Sequence, residues 1–154
     1  MANSLFHVSC LTVAVMACFS TNAVAYNPDF SESTAPSETE IDWNDNFRIG
    51  EGVIVNAENS SINVTNDTKS TSKIKGTLTA KNLTTTGGLE NHSTGTLTVS
   101  GKLHTTATLT NVGKATIGQL EASSVSNHSG GKITVDQLEA GSVLTWAGSV
   151  LTVN

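Results

Sequence analysis

The sequence predicts an all-β fold: a parallel β-helix, or β-solenoid, with rungs of about 18 residues, preceded by a disordered acidic linker. Three observations carry this expectation. Thr79, Thr98, Thr116, Thr134 and Thr152 recur at separations of 19, 18, 18 and 18 residues, and self-similarity at a fixed period is the mark of a repeat architecture. Each threonine stands between two apolar residues: Leu78 and Ala80, Leu97 and Val99, Ala115 and Ile117, Ile133 and Val135, Leu151 and Val153. The composition is poor in charge (14%) and in aromatic residues (5%), and Thr, Ser, Asn and Gly supply the polar chemistry instead.

Residues 1–25 read as a secretory signal peptide. Leu11 to Phe19 is an apolar core, followed by polar Ser20-Thr21-Asn22 and then Ala23-Val24-Ala25. Small residues at Ala23 and Ala25 suit a signal peptidase cutting before Tyr26. The apolar run is shorter than the ~18 residues a membrane span needs, so the mature chain is expected to have no membrane span. Val15-Met16-Ala17-Cys18 loosely matches a bacterial lipobox, but the downstream site at Ala25 fits better. Both cysteines, Cys10 and Cys18, lie in this leader. A cleaved chain therefore has no disulfide, thiolate nucleophile or cysteine-based zinc site.

Residues 26–50 are expected to form an acidic flexible linker. They hold Asp29, Glu32, Glu38, Glu40, Asp42 and Asp45 against one cation, Arg48, and their apolar content is too low to offset ordering over most of their length. The exception is 41–49, where Ile41, Trp43 and Phe47 suggest an end-cap for the repeats, as open solenoid ends require. A sugar-binding role for Trp43 is the competing reading. Residues 51–154 carry seven acids against seven lysines, so this region has no electrostatic footprint for nucleic acid.

The solenoid is expected over 51–154. Val53-Ile54-Val55 and Ile62-Asn63-Val64 read as one or two irregular rungs, and regular rungs begin at Gly76. Gly76, Gly95, Gly113 and Gly131 each stand three residues before a ladder threonine, and Leu83, Leu103, Leu120 and Leu138 form a third apolar series. An 18-residue unit is too short for a helical-hairpin repeat, and the chain contains no Asn-Gly or Asp-Gly hairpin turn. Alternation places the apolar neighbours inside and the threonine outside. One unit per turn then stacks equivalent residues about 4.8 Å apart, with glycine and asparagine supplying tight or left-handed corners.

These residues resemble the right-handed parallel β-helix passengers of bacterial autotransporters and filamentous-haemagglutinin-like adhesins. The resemblance covers about residues 51–154 and rests on the G-x-[LI]-T-V rhythm, the Asn/Thr/Ser content, the lack of cysteine and the leader. It implies a secreted or cell-surface, outer-membrane-associated protein acting as a stalk or adhesive surface, with a glycan or protein on a host or neighbouring cell as partner. Neither a β-barrel translocator nor a haemagglutination-type secretion domain accompanies the repeats, and Val153-Asn154 falls inside a rung. The expectation is therefore a fragment of a longer chain, or an edge covered by further rungs or a capping partner.

Candidate chemistry is thin. Glu121 and Glu139 are repeat equivalents about 5 Å apart, a separation that suits a retaining glycosidase pair. They also read as a copied surface motif, Gln-Leu-Glu-Ala, with solvated carboxylates. His92 and His128, two rungs apart, are too distant to share a metal. The threonine ladder invites comparison with ice-binding faces, but its companion column is Thr77, Thr96, Lys114, Lys132 and Val150, so the second rank fails. The six N-x-[ST] sequons suit the composition and carry no separate reading. No catalytic residue, metal or cofactor is expected. The rival readings are a carbohydrate-active β-helix enzyme and a self-assembling surface or biofilm-matrix component.

Overall fold

The computed structural model describes residues 29–43, 45–65 and 69–154. The expected leader, with Ala23, Ala25 and Tyr26, lies outside the described residues. The strands are β1 (Asp29–Phe30), β2 (Glu40–Trp43), β3 (Arg48–Ile49), β4 (Ile54–Val64), β5 (Thr71–Ile74), β6 (Thr77–Thr85), β7 (Gly88–Asn91), β8 (Thr96–Asn111), β9 (Lys114–Asn127), β10 (Lys132–Thr145) and β11 (Val150–Val153). Every strand-to-strand ladder among them is parallel. The chain is a parallel β-solenoid of about seven turns.

Each turn contributes to three ladders, because its 18 residues are long enough for three short strand runs joined by bends. The first ladder stacks Val55, Leu78, Leu97, Ala115, Ile133 and Leu151. The second stacks Ile41, Ile62, Leu83, Leu103, Leu120 and Leu138. The third stacks Leu89, Leu109, Val125 and Val143. Alternation turns these residues inward, and Leu78, Leu83, Leu89, Leu97, Leu103 and Leu109 are fully buried. At roughly 1.5–3 kcal/mol for each buried aliphatic, the stacked columns supply the cohesion that a single turn lacks.

The acidic segment is ordered further than a tether requires. Thr34 bridges Val55, β2 pairs with β4, and β3 pairs with β5. Residues 34–43 and 45–49 thus belong to a first turn around the axis. Its physical basis is backbone pairing, to which composition is blind. Thr34 N donates to Ile54 O at 2.8 Å and Asn56 N donates to Thr34 O at 2.9 Å, satisfying an edge that would otherwise be open. The aromatic residues close the end, with the Trp43 ring 5.2 Å from Phe30 and 4.9 Å from Phe47. Phe47 is fully buried.

The corner glycines work differently from the sequence expectation. Gly76, Gly95, Gly113 and Gly131 do not have positive φ; that conformation belongs to Gly52, Gly130 and Gly148. A Cβ at Gly113 would overlap the carbonyl oxygens of His92 and Gly95 on the previous turn. The regular glycines permit close backbone stacking rather than a left-handed corner.

Candidate functional site

The five ladder threonines lie in one register. Thr79 pairs with Thr98, Thr98 with Thr116, Thr116 with Thr134 and Thr134 with Thr152. Thr79 and Thr98 are half-buried and the other three are exposed. Two residues earlier on the same face run Ile54, Thr77, Thr96, Lys114, Lys132 and Val150. The face is a repeated surface of short hydroxyls that acquires two lysines toward β10.

The second ladder presents the richest cluster of ionisable groups. Lys102, Gln119 and Gln137 form one outward column, and Thr84, His104, Glu121 and Glu139 form the next. Parallel pairing in register puts equivalent side chains about 4.8 Å apart. Gln119 Nε2 donates to Gln137 Oε1 at 2.7 Å, an amide pair copied from one turn to the next. Lys102 Nζ meets Glu121 Oε2 directly, while His104 Nδ1 lies 3.2 Å from Glu121 Oε1. His104 Nδ1 makes no aligned hydrogen bond at that contact. The Lys102 hydrogen bond, aided by the charges of His104 and Lys102, holds the Glu121 carboxyl below its ordinary pKa. Lys102, Gln119, Glu121, Gln137 and Glu139 rim a shallow depression of about 270 Å³.

Glycoside hydrolysis by a carboxyl pair needs one protonated acid and one ionised carboxylate, and Lys102 holds Glu121 toward the ionised form. The sequence paired Glu121 with Glu139 but missed Lys102 and His104. The two-residue link between Val99 and Lys102 contains a bulge, which moves His104 out of simple 18-residue spacing. Only allowance for that extra residue brings His104 level with Glu121.

The third ladder hides a polar column. Asn91, Asn111 and Asn127 are fully buried and in register. Asn91 Nδ2 donates to Asn111 Oδ1, and Asn111 Nδ2 donates to Asn127 Oδ1, each at 2.8 Å. Asn127 Nδ2 continues to Val150 O at 2.8 Å. Their burial closes the sequons at Asn91 and Asn127 to modification in the folded chain. The available signal was the copied pair Asn91-His92 and Asn127-His128, with Asn111 between them.

The histidines of those pairs point elsewhere. His92 Nε2 lies 3.2 Å from Glu90 Oε1, and His128 stacks on Trp146 with ring centroids 5.3 Å apart and an interplanar angle of 14°. Among the described residues, no group of three His, Cys, Asp or Glu side chains is arranged to hold a metal ion, and no helix is long and apolar enough to cross a membrane. Trp43, considered above as a sugar platform, is half-buried in the aromatic cap. The chain matches no family model, and its comparison with curated proteins and with solved structures returns no match.

Proposed function

We propose that this protein is a non-enzymatic β-solenoid, exported to the bacterial surface or beyond it, where it serves as a stalk or adhesive surface of the autotransporter-passenger type. The observation that carries this reading is the repetition of outward chemistry along the axis. Thr98, Thr116 and Thr134 copy one hydroxyl per turn, and Gln119 with Gln137 copies an amide. A surface that repeats every ~4.8 Å offers many equivalent weak contacts, and such contacts add through effective concentration. The expected partner is a glycan or protein on a host or neighbouring cell. The leader supports export, with the mature chain starting at Tyr26.

The test uses the full chain coupled to beads and challenged with glycan-coated and protein-coated surfaces. Retention that rises steeply with bead loading supports multivalent adhesion, and no retention on any surface overturns it. A second reading, a carbohydrate-active enzyme, draws on Glu121 and Glu139 being in register. Release of reducing ends from a polysaccharide, abolished by both Glu121→Gln and Glu139→Gln, would replace the adhesive reading with that one. N-terminal sequencing of the secreted product tests export separately.

A further inference from the structure

We propose that a hollow beside the first turns, bounded by Arg48, Lys73 and Lys75, binds a carboxylate-bearing sugar residue. The hollow encloses about 400 Å³ and is lined by Asp29, Arg48, Ile49, Gly50, Lys73 and Lys75. Three cations thus converge in a chain whose formal net charge is −5. Arg48 and Lys73 stand directly opposite each other on adjacent parallel strands. Like charges in that relation destabilise a sheet pair, unless an anion lies between them.

The neighbouring acids leave the charge only partly balanced. Lys73 Nζ reaches Glu90 Oε2 at 3.8 Å. Asp29 is opposite Arg48 in the ladder, but no ion pair joins them. Among the described residues Arg48 and Lys75 have no ion-pair partner. The backbone holds the two lysines against the strand that carries Arg48: Lys75 N donates to Ile49 O and Lys73 N to Phe47 O, each at 2.9 Å. Gly50 lines the hollow beside them.

The same acids restrict what can enter. Asp29 and Glu90 on either side oppose an extended polyanion such as nucleic acid, whose affinity comes from many phosphates. They leave room for a single oxyanion, and the Asp29 carboxylate accepts hydrogen bonds from hydroxyl groups. One carboxylate on a hydroxyl-rich ring meets both requirements. Arg48 supplies a planar fork for the carboxylate, and Lys75 a second charge.

The inference deepens the adhesive reading and rests on it for its use in the cell, while the binding itself stands on the hollow alone. The experiment titrates glucuronic acid into the full chain, following backbone amide shifts of Gly50 and Lys75 and heat of binding. Saturable binding at Gly50, weakened about tenfold by Arg48→Gln or Lys75→Gln, is the expected result, since each substitution removes a charge-assisted hydrogen bond. Lys73→Gln should weaken binding less, because Glu90 already engages that ammonium. Lys81→Gln, outside the hollow, should leave it unchanged. Equal binding of glucose, or unchanged binding in the Arg48→Gln/Lys75→Gln double variant with native circular dichroism, overturns the proposal. Inorganic sulfate binding as tightly as glucuronate overturns its sugar component. Bead retention that persists while glucuronate fails to bind sinks the hollow and spares the adhesive reading.

Discussion

At the scale of single residues, the buried asparagine column does what an aliphatic column cannot. Each amide has donors and acceptors to satisfy, and the ladder pairs Asn91 with Asn111 and Asn111 with Asn127, leaving only Asn91 Oδ1 at its start without a partner within the column. Asn111 also donates to Gly113 O at 3.0 Å, so the same side chain secures the corner. Removing it strands buried groups on both adjacent turns. Asn111→Ala is expected to cost about 2–4 kcal/mol, read as a lower urea midpoint with little change in slope. Glu121 offers a test of surface charge. Its carboxyl is lowered chiefly by Lys102, so its favourable contribution is present above the ordinary carboxylate range and is lost as pH falls through the lowered value. Carbon-13 titration of the Glu121 side chain should show this, and Lys102→Met should move the midpoint upward. An unmoved midpoint would mean that the ion pair is not held in solution.

At the scale of elements, β8 shows how a regular period conceals irregular geometry. Against β9 it carries one extra residue between Val99 and Lys102 and another between Thr105 and Thr108. The corner that follows is shorter by the same amount: Val112-Gly113 joins β8 to β9, whereas His128-Ser129-Gly130-Gly131 joins β9 to β10. Insertions and deletions cancel, so Thr98, Thr116 and Thr134 keep their 18-residue spacing. The bulges are necessary to register, because a one-residue slip exchanges the inner and outer faces. Deleting Gly101 should abolish the bulge and give β8 the spacing that β9 has from Ile117 to Leu120, so that Leu103 stays inward and the loss is under about 1 kcal/mol. Adding one serine after exposed Ser93 should cost under about 1 kcal/mol, since surface loops tolerate lengthening. A loss of several kcal/mol on deleting Gly101, read by chemical denaturation, would contradict this account of the bulge.

At the scale of the whole molecule, stability follows from stacking in one dimension, where each turn touches only its neighbours. Burial is accordingly uneven along the axis. Leu97 is fully buried, Leu151 is half-buried, and Val153 is 53% exposed. Leu97→Ala should cost about 2–5 kcal/mol, while Leu151→Ala should cost about 1 kcal/mol or less. The aromatic end is the contrasting case. Phe47 is fully enclosed between Trp43 and the column below it, and its amide donates to Ser72 Oγ at 3.2 Å. Phe47→Ala is expected to cost about 3–5 kcal/mol and to raise binding of a hydrophobic dye by the first turn. A loss no larger than that of Leu151→Ala would show that the aromatic cluster does not hold the end.

The sequence by itself determined the fold class, the 18-residue turn, the inward columns through Leu78 and Leu83, and the register of the threonine face. It could do so because strand alternation is a local rule, and a copied sequence stacks like upon like. Three features were decided only by tertiary structure. The acidic segment joins the coil because backbone pairing does not depend on side-chain polarity. Asn111 becomes part of a buried ladder because two bulges and a short corner bring it level with Asn91 and Asn127. Lys102 and His104 reach Glu121 for the same reason. Spacing along a chain records the length of each turn, whereas the level of a side chain depends on where that length is spent, and only the packed neighbours set that.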